Sequence, residues 1–133
     1  MELNNIFSLK TIKTSKPGEL HFTDIDIPFD TKRIFLINNF NDLTDNNKVR
    51  GLHANLNFDE IIIVNEGYID VKIIKKNKEF IEFRLHKNDC LYFSRGYWLE
   101  FTIGNMSTSI TVLANMIQSE SISMYDFDKF CSW

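Results

Sequence analysis

The sequence predicts an all-β domain, a sandwich or closed barrel, on three observations. About nine short strand-like segments follow one another at close spacing. Polar punctuation, in places carrying glycine or proline, separates them. No stretch before Ser119 carries a helical hydrophobic period. The first segment, residues 19–25, follows the Pro17-Gly18 turn. Ile34-Phe35-Leu36-Ile37 comes next and runs into residues 38–48, a loop dense in Asn and Asp. Residues 51–55, 60–64, 68–74, 80–85, 90–93, 99–103 and 108–114 complete the set. Turn signals sit at Asn65-Glu66-Gly67, Lys76-Asn77-Lys78, Lys87-Asn88-Asp89 and Gly104-Asn105. Tyr68-Ile69-Asp70-Val71-Lys72-Ile73 alternates strictly, as a half-buried strand does, and Phe80-Ile81-Glu82-Phe83-Arg84-Leu85 more loosely. The tail, residues 123–130, suits either a short capped helix or an edge segment. No repeat, linker or composition shift divides the chain, so residues 1–133 read as a single domain.

Composition narrows the function classes. A chain of 133 residues with 44% hydrophobic content and 12 phenylalanines builds a packed core rather than a disordered segment. The net charge is −3 and the basic residues are dispersed, which is no footprint for nucleic acid. The longest apolar runs, such as Ile61-Ile62-Ile63-Val64, are far too short to span a membrane. The start, Met1-Glu2-Leu3-Asn4-Asn5, lacks the basic region of a signal peptide. Cys90 and Cys131 have no metal-type spacing and read as reduced thiols of a cytoplasmic protein.

The most informative stretch is Arg50-Gly51-Leu52-His53-Ala54-Asn55, followed by Glu60 and Gly67. It has the spacing of the first cupin motif, G…HxH-x(4)-E-x(6)-G, with Asn55 in place of the second histidine. Residues two apart in a strand share a face, so His53 and Asn55 would look into a barrel and Glu60 would join them from the next strand. An imidazole titrates near neutrality and suits a general base at carbon, although a lone strand histidine is also a common core or surface residue. Glu60 either faces inward beside His53, tuning it or exchanging protons itself, or merely opens a strand in solvent. A metal needs a further ligand. The second cupin motif maps onto residues 88–99, and its final histidine is Leu99. One imidazole, one carboxylate and one amide form a poor set for Zn, Fe or Mn, so metal-free chemistry without a cofactor is expected. Arg33 and Arg50 suit diphosphate binding through bidentate guanidinium contacts, or else surface ion pairs. Tyr92, Tyr97 and Trp98 either stack on a base or sugar face or belong to an aromatic core.

These residues bring the chain to a known family. It resembles the WxcM-like small cupins, nucleotide-sugar 3,4-ketoisomerases acting on dTDP-4-keto-6-deoxyglucose, over nearly its whole length. Gly18-Glu19-Leu20 is similar to the family's opening G-x-L. Residues 26–35 (DIPFDTKRIF) are similar to its D-I-P-F-x-x-K-R-V-Y. Residues 50–55 are similar to its R-G-x-H-A-H, and Gly96-Tyr97-Trp98 to its G-x-W. The resemblance implies a single-domain cupin, a jelly-roll barrel, working as a homodimer on a dTDP-linked keto-sugar in deoxyamino-sugar and surface-polysaccharide synthesis. On this reading the expected site has His53 and Glu60 as catalytic residues, with Arg33, Arg50, Asn55, Phe35, Tyr92 and Trp98 around the substrate. The chain departs from the family at three places. Asn55 replaces its second motif histidine, Phe35 its strand tyrosine, and Glu60 its usual glutamine. The positions associated with the choice between galacto and gluco products match Pro17 and Leu99. Proton transfer between C3 and C4 needs groups that ionise, and Asn55 and Phe35 do not. The departures fit either a relay rewired through Glu60 or a decayed site, a non-catalytic or weakly active nucleotide-sugar-binding homologue.

Overall fold

The structure, a computed structural model, describes residues 5–24, 26–27, 29–39, 49–104 and 107–133. Ile25, which ends the first expected strand, most of the Asn/Asp-rich loop (residues 40–48), Pro28 and Asn105 lie outside the described residues. The strands are β1 (Ile6–Ser8), β2 (Lys10–Lys13), β3 (Glu19–Phe22), β4 (Arg33–Asn39), β5 (Val49–Asn55), β6 (Glu60–Glu66), β7 (Tyr68–Ile74), β8 (Phe80–His86), β9 (Asp89–Phe93), β10 (Trp98–Ile103), β11 (Thr108–Ala114) and β12 (Ser123–Met124). A 3-10 turn at Gln118–Glu120 and one helix, α1 (Phe127–Ser132), complete the described elements. Each expected strand is present. β1 and β2 go beyond the expected set, because three or four residues are too few to show a period. The tail realises both of its alternatives, an edge strand and then a helix capped by Asp126, whose carboxylate accepts from Lys129 N at 3.1 Å.

Two five-stranded antiparallel sheets, ordered β1-β9-β6-β11-β4 and β12-β5-β10-β7-β8, carry the fold, with β2 and β3 as a separate hairpin. The core takes side chains from both sheets: Ile62 and Val64 of β6, Leu91 and Phe93 of β9, and Ile110 and Val112 of β11 meet Ile69, Val71 and Ile73 of β7 and Leu99, Phe101 and Ile103 of β10. Burial of alternate residues gives strands such as β4 and β11 an inner and an outer face. Outside the second sheet, Trp98 packs edge-on against Phe127 and against Phe130, with ring centroids 5.1 and 5.7 Å away. A six-residue helix has little stability of its own, and the fully buried Phe130 anchors it. Among the described residues no helix is long and apolar enough to cross a membrane.

One irregularity positions the site. Leu99 pairs with His53 while Glu100 pairs with Gly51, so β5 carries Leu52 as an extra residue, a β-bulge. Gly51 and Leu52 both have positive φ, 82° and 55°. Without the bulge, residues 50 and 53 would face opposite ways. With it, Arg50 sits opposite Phe101 and His53 opposite Leu99, and Leu99 and Phe101 are both core-facing. Gly51 has a steric reason to be glycine, because a Cβ there would lie 2.8 Å from the Leu99 carbonyl oxygen.

Candidate active site

Three strands deliver side chains to one end of the barrel interior. Period-2 alternation turns Arg33, Phe35 and Ile37 of β4 inward, with Ile34 and Leu36 outward. β6 turns Glu60 inward on the same face as Ile62 and Val64. β5, through its bulge, supplies Arg50, His53 and Asn55. Phe35, Arg50, His53, Glu60 and Leu99 are among the residues lining a cavity of about 250 Å³. A wider cavity of about 720 Å³ shares Phe35, His53 and Glu60 and is walled further by Arg33, Phe58, Gln118 and Tyr125.

Glu60 is 5% exposed and accepts a 2.6 Å hydrogen bond from Asn55 Nδ2. Burial pushes its carboxyl above the ordinary carboxylate range, and this outweighs the opposing effects of the Asn55 hydrogen bond and the His53 and Arg33 charges. The neighbouring Asp59 behaves in the opposite way. Burial raises its pKa too, but the hydrogen bonds and charge of Arg95 and the Tyr92 hydroxyl hold it below the usual value. Arg95 donates to Asp59 through its backbone N at 2.8 Å and its Nε at 3.1 Å, and Asn115 Oδ1 accepts from Asp59 N at 2.8 Å. This knot fixes the corner from which β6 starts and so aims Glu60.

The four arginines divide by partner. Arg84 and Arg95 are neutralised by Asp70 and Asp59. Among the described residues Arg33 and Arg50 have no carboxylate partner, and these two line the cavities. Arg33 lies 5.5 and 5.3 Å from the ring centroids of Phe35 and Phe58, and its Nη1 donates to Gln118 Oε1. Its Nε is buried with no partner among the described residues. Phe35 therefore serves as a platform for Arg33 as well as a cavity wall.

Other expected site residues lie elsewhere. Tyr92 and Trp98 line neither cavity. Tyr92 donates its hydroxyl to Asp59 Oδ2 at 3.1 Å, and Trp98 lies under α1 with Nε1 donating to Glu100 Oε1 at 3.2 Å. Of the alternatives open in the sequence, the structure has these rings in packing roles, since their faces meet protein rather than a cavity. Asn55 is fully buried and also lines neither cavity. Leu99 forms part of the inner wall, whereas Pro17 stands on the exposed bend before β3. Tyr125, whose ring centroid is 5.8 Å from that of His53, and Gln118 belong to the site but were not foreseen. They come from the 3-10 turn and the tail that follow β11, where no periodicity marks which face a residue takes. The donor chemistry does not fit a transition metal: one imidazole and one carboxyl face the cavities, Asn55 lines neither, and Leu99 is apolar.

The arrangement brings one imidazole, one carboxyl of raised pKa and two guanidinium groups with no carboxylate partner among the described residues to adjoining cavities. Among solved structures, the chain is similar to a His-to-Asn variant of the 3,4-ketoisomerase QdtA from Thermoanaerobacterium thermosaccharolyticum in complex with TDP-4-keto-6-deoxyglucose. The identity is 21% and the TM-score 0.82, covering 99% of this chain and 94% of that one. It is similar to WlaRA, a TDP-fucose-3,4-ketoisomerase from Campylobacter jejuni, at 30% identity and TM-score 0.76, covering 97% and 93%. It is also similar to WlaRB, a TDP-quinovose 3,4-ketoisomerase from Campylobacter jejuni, at 24% identity and TM-score 0.82, covering 100% of both chains. These likenesses fix the fold as the expected small cupin barrel. No curated protein matches the chain. The family described as FdtA, WxcM-like C-terminal, matches residues 2–133, and the chain belongs to that family.

Proposed function

We propose that the protein is a sugar-nucleotide 3,4-ketoisomerase acting on dTDP-4-keto-6-deoxyglucose. The observation that carries this reading is the convergence of His53 and Glu60 on one cavity wall, beside two arginines that no carboxylate neutralises among the described residues. The diphosphate is held by Arg33 or Arg50, and the sugar reaches inward toward His53. His53 takes the proton from C3, next to the C4 ketone, and the C3–H electrons form a C3=C4 bond as O4 becomes an enolate oxygen. Glu60, which burial keeps protonated to higher pH, supplies a proton to the intermediate. When O4 takes that proton, C4 takes the one held by His53 and O3 gives its proton to Glu60, the ketone has moved to C3, both residues are restored and the composition is unchanged. The relatives' described activities support this reaction class, WlaRA at 30% identity most directly.

The enzyme acts as a cytoplasmic homodimer in the synthesis of deoxyamino sugars for surface polysaccharide. A second copy is favoured by the β2–β3 hairpin, which has no third strand and exposes Ile12 and Leu20 opposite one another. The two free cysteines are consistent with a reducing compartment. The test is a proton NMR time course with dTDP-4-keto-6-deoxyglucose in deuterated water. Solvent deuterium should enter the C3 and C4 positions, and His53→Asn should abolish its entry. Nucleotide-sugar binding without any exchange would instead identify a binding homologue, and exchange in His53→Asn at the parent rate would refute the mechanism.

A further inference from the structure

We propose that Asn55 is a positioning residue for Glu60, an amide that holds the carboxyl on the cavity wall and reverses its two ends to match either protonation state. This deepens the isomerase reading and rests on it for its catalytic meaning. Three observations carry it. Asn55 is fully buried and lines neither cavity, so it acts through Glu60 and not on substrate. Its Nδ2 donates to Glu60 Oε1 at 2.6 Å. Its Oδ1 is buried with no partner among the described residues.

A carboxyl that gives and takes a proton during turnover needs a donor beside it when ionised and an acceptor when protonated. A fixed donor would favour only the ionised form. A primary amide carries both at nearly the same size, and half a turn about its terminal torsion exchanges them. The 2.6 Å separation lies just under the charge-assisted range for N–H···O and inside the ordinary range for O–H···O, so it leaves room for either state. In both orientations one end of the amide stays unpaired, so that penalty cancels and the proton on Glu60 decides the orientation. The charged groups facing Glu60 are His53 on β5 and Arg33 on β4. β9 and β11 set Phe93 and Ala114 beside it, which carry no charge, and Asp59 is committed to Arg95.

The experiment follows the Asn55 side-chain amide and the Glu60 carboxyl carbon of the intact protein by NMR across pH, together with the pH profile of kcat/KM. The Asn55 amide signals should move with the same midpoint as the Glu60 carboxyl. In Asn55→Ala that midpoint should rise by about one pH unit or less, the difference between the charge-assisted bond lost by the ionised form and the neutral bond lost by the protonated form. The acid limb of kcat/KM should rise with it while KM stays near the parent value, and Asn55→His, whose ring also carries donor and acceptor nitrogens, should restore part of the shift. If Asn55→Ala does not fold, the parent's co-titration still decides. Asn55 signals that ignore the Glu60 titration in an active enzyme would overturn the proposal. Intact co-titration in a protein that never exchanges deuterium would refute the isomerase reading and leave the amide–carboxyl pair standing.

Discussion

Gly51→Ala should destabilise the protein more than Gly96→Ala, and it should also empty the site. Both glycines have nearly the same positive φ, 82° and 85°, so both alanines meet a similar backbone penalty of about 1–2 kcal/mol. They differ in what the new methyl meets. Nothing lies within 4 Å of a Cβ built on Gly96, whereas one on Gly51 lies 2.8 Å from the Leu99 carbonyl oxygen and 3.4 Å from its carbon. That contact is with backbone in a central strand pairing, which yields only if the β5–β10 register shifts. Overpacking of this kind adds roughly 1–3 kcal/mol, so Gly51→Ala should total about 2–5 kcal/mol. The functional consequence follows from the bulge. If the register relaxes by expelling the extra residue, Arg50 and His53 no longer share the inner face, and the cavity loses its guanidinium or its imidazole. Urea unfolding of the two variants measures the first effect, and calorimetric titration with dTDP the second. A Gly51→Ala variant that loses no more stability than Gly96→Ala, and binds dTDP as the parent does, would refute the role assigned to the bulge.

Two further outcomes follow from the electrostatics. Arg50→Ala should weaken dTDP binding by roughly 1.5–3 kcal/mol, while Arg84→Ala, which removes a guanidinium already paired with Asp70, should leave it unchanged. Unchanged affinity by calorimetry in both Arg33→Ala and Arg50→Ala would show that the nucleotide lies elsewhere. Glu60→Gln should alter the pH dependence of stability in a defined direction. Burial raises the folded-state pKa of Glu60 above the unfolded value near ~4.3, so its protonated form contributes stability fully at low pH and loses it as pH rises through the folded pKa. The difference in unfolding free energy, parent minus Glu60→Gln, should therefore fall across that window. A difference independent of pH by denaturant titration would refute the raised pKa.

Much of the fold was legible because it is written in local alternation. The segments from 60–64 to 108–114 each became a strand, and the inward turn of His53, Asn55 and Glu60 follows from spacings of two along β5 and from the phase of β6. What could not be read is what depends on distant partners. Arg50 reaches the cavity only because Leu52 is an unpaired bulge residue, and a spacing of three in sequence points the other way. Trp98 and Tyr92 look like ligand-stacking rings in sequence. Which face they take depends on where α1 and Asp59 arrive, 29 and 33 positions away in the case of the Trp98–Phe127 packing and the Tyr92–Asp59 bond, and both arrivals are tertiary. Gln118 and Tyr125 reach the site for the same reason, carried there when β12 pairs with β5.

The departures from the family pattern take on meaning once their positions in space are known. Asn55 and Glu60 are five residues apart and 2.6 Å apart, so the two substitutions form a single contact. The family pattern has an imidazole at the first position and an amide at the second; this chain has an amide at the first and a carboxyl at the second. One group that ionises and one amide are present in both arrangements, with their places exchanged. Loss of function alone gives no reason for the second change to complement the first, since an asparagine beside a glutamine would pack as well without the cost of burying a carboxyl. The third departure, Phe35, removes a phenol and leaves a ring that stacks against Arg33, so its cost falls on proton traffic rather than on nucleotide binding. On the proposed mechanism, proton exchange then rests on His53 and Glu60. A double exchange, Asn55→His with Glu60→Gln, should restore the family arrangement and turn over at least as fast as the parent, whereas Glu60→Gln alone should be slower than both. If Glu60→Gln alone turns over as fast as the parent, the carboxyl is not carrying the proton and the exchange of places has no catalytic content.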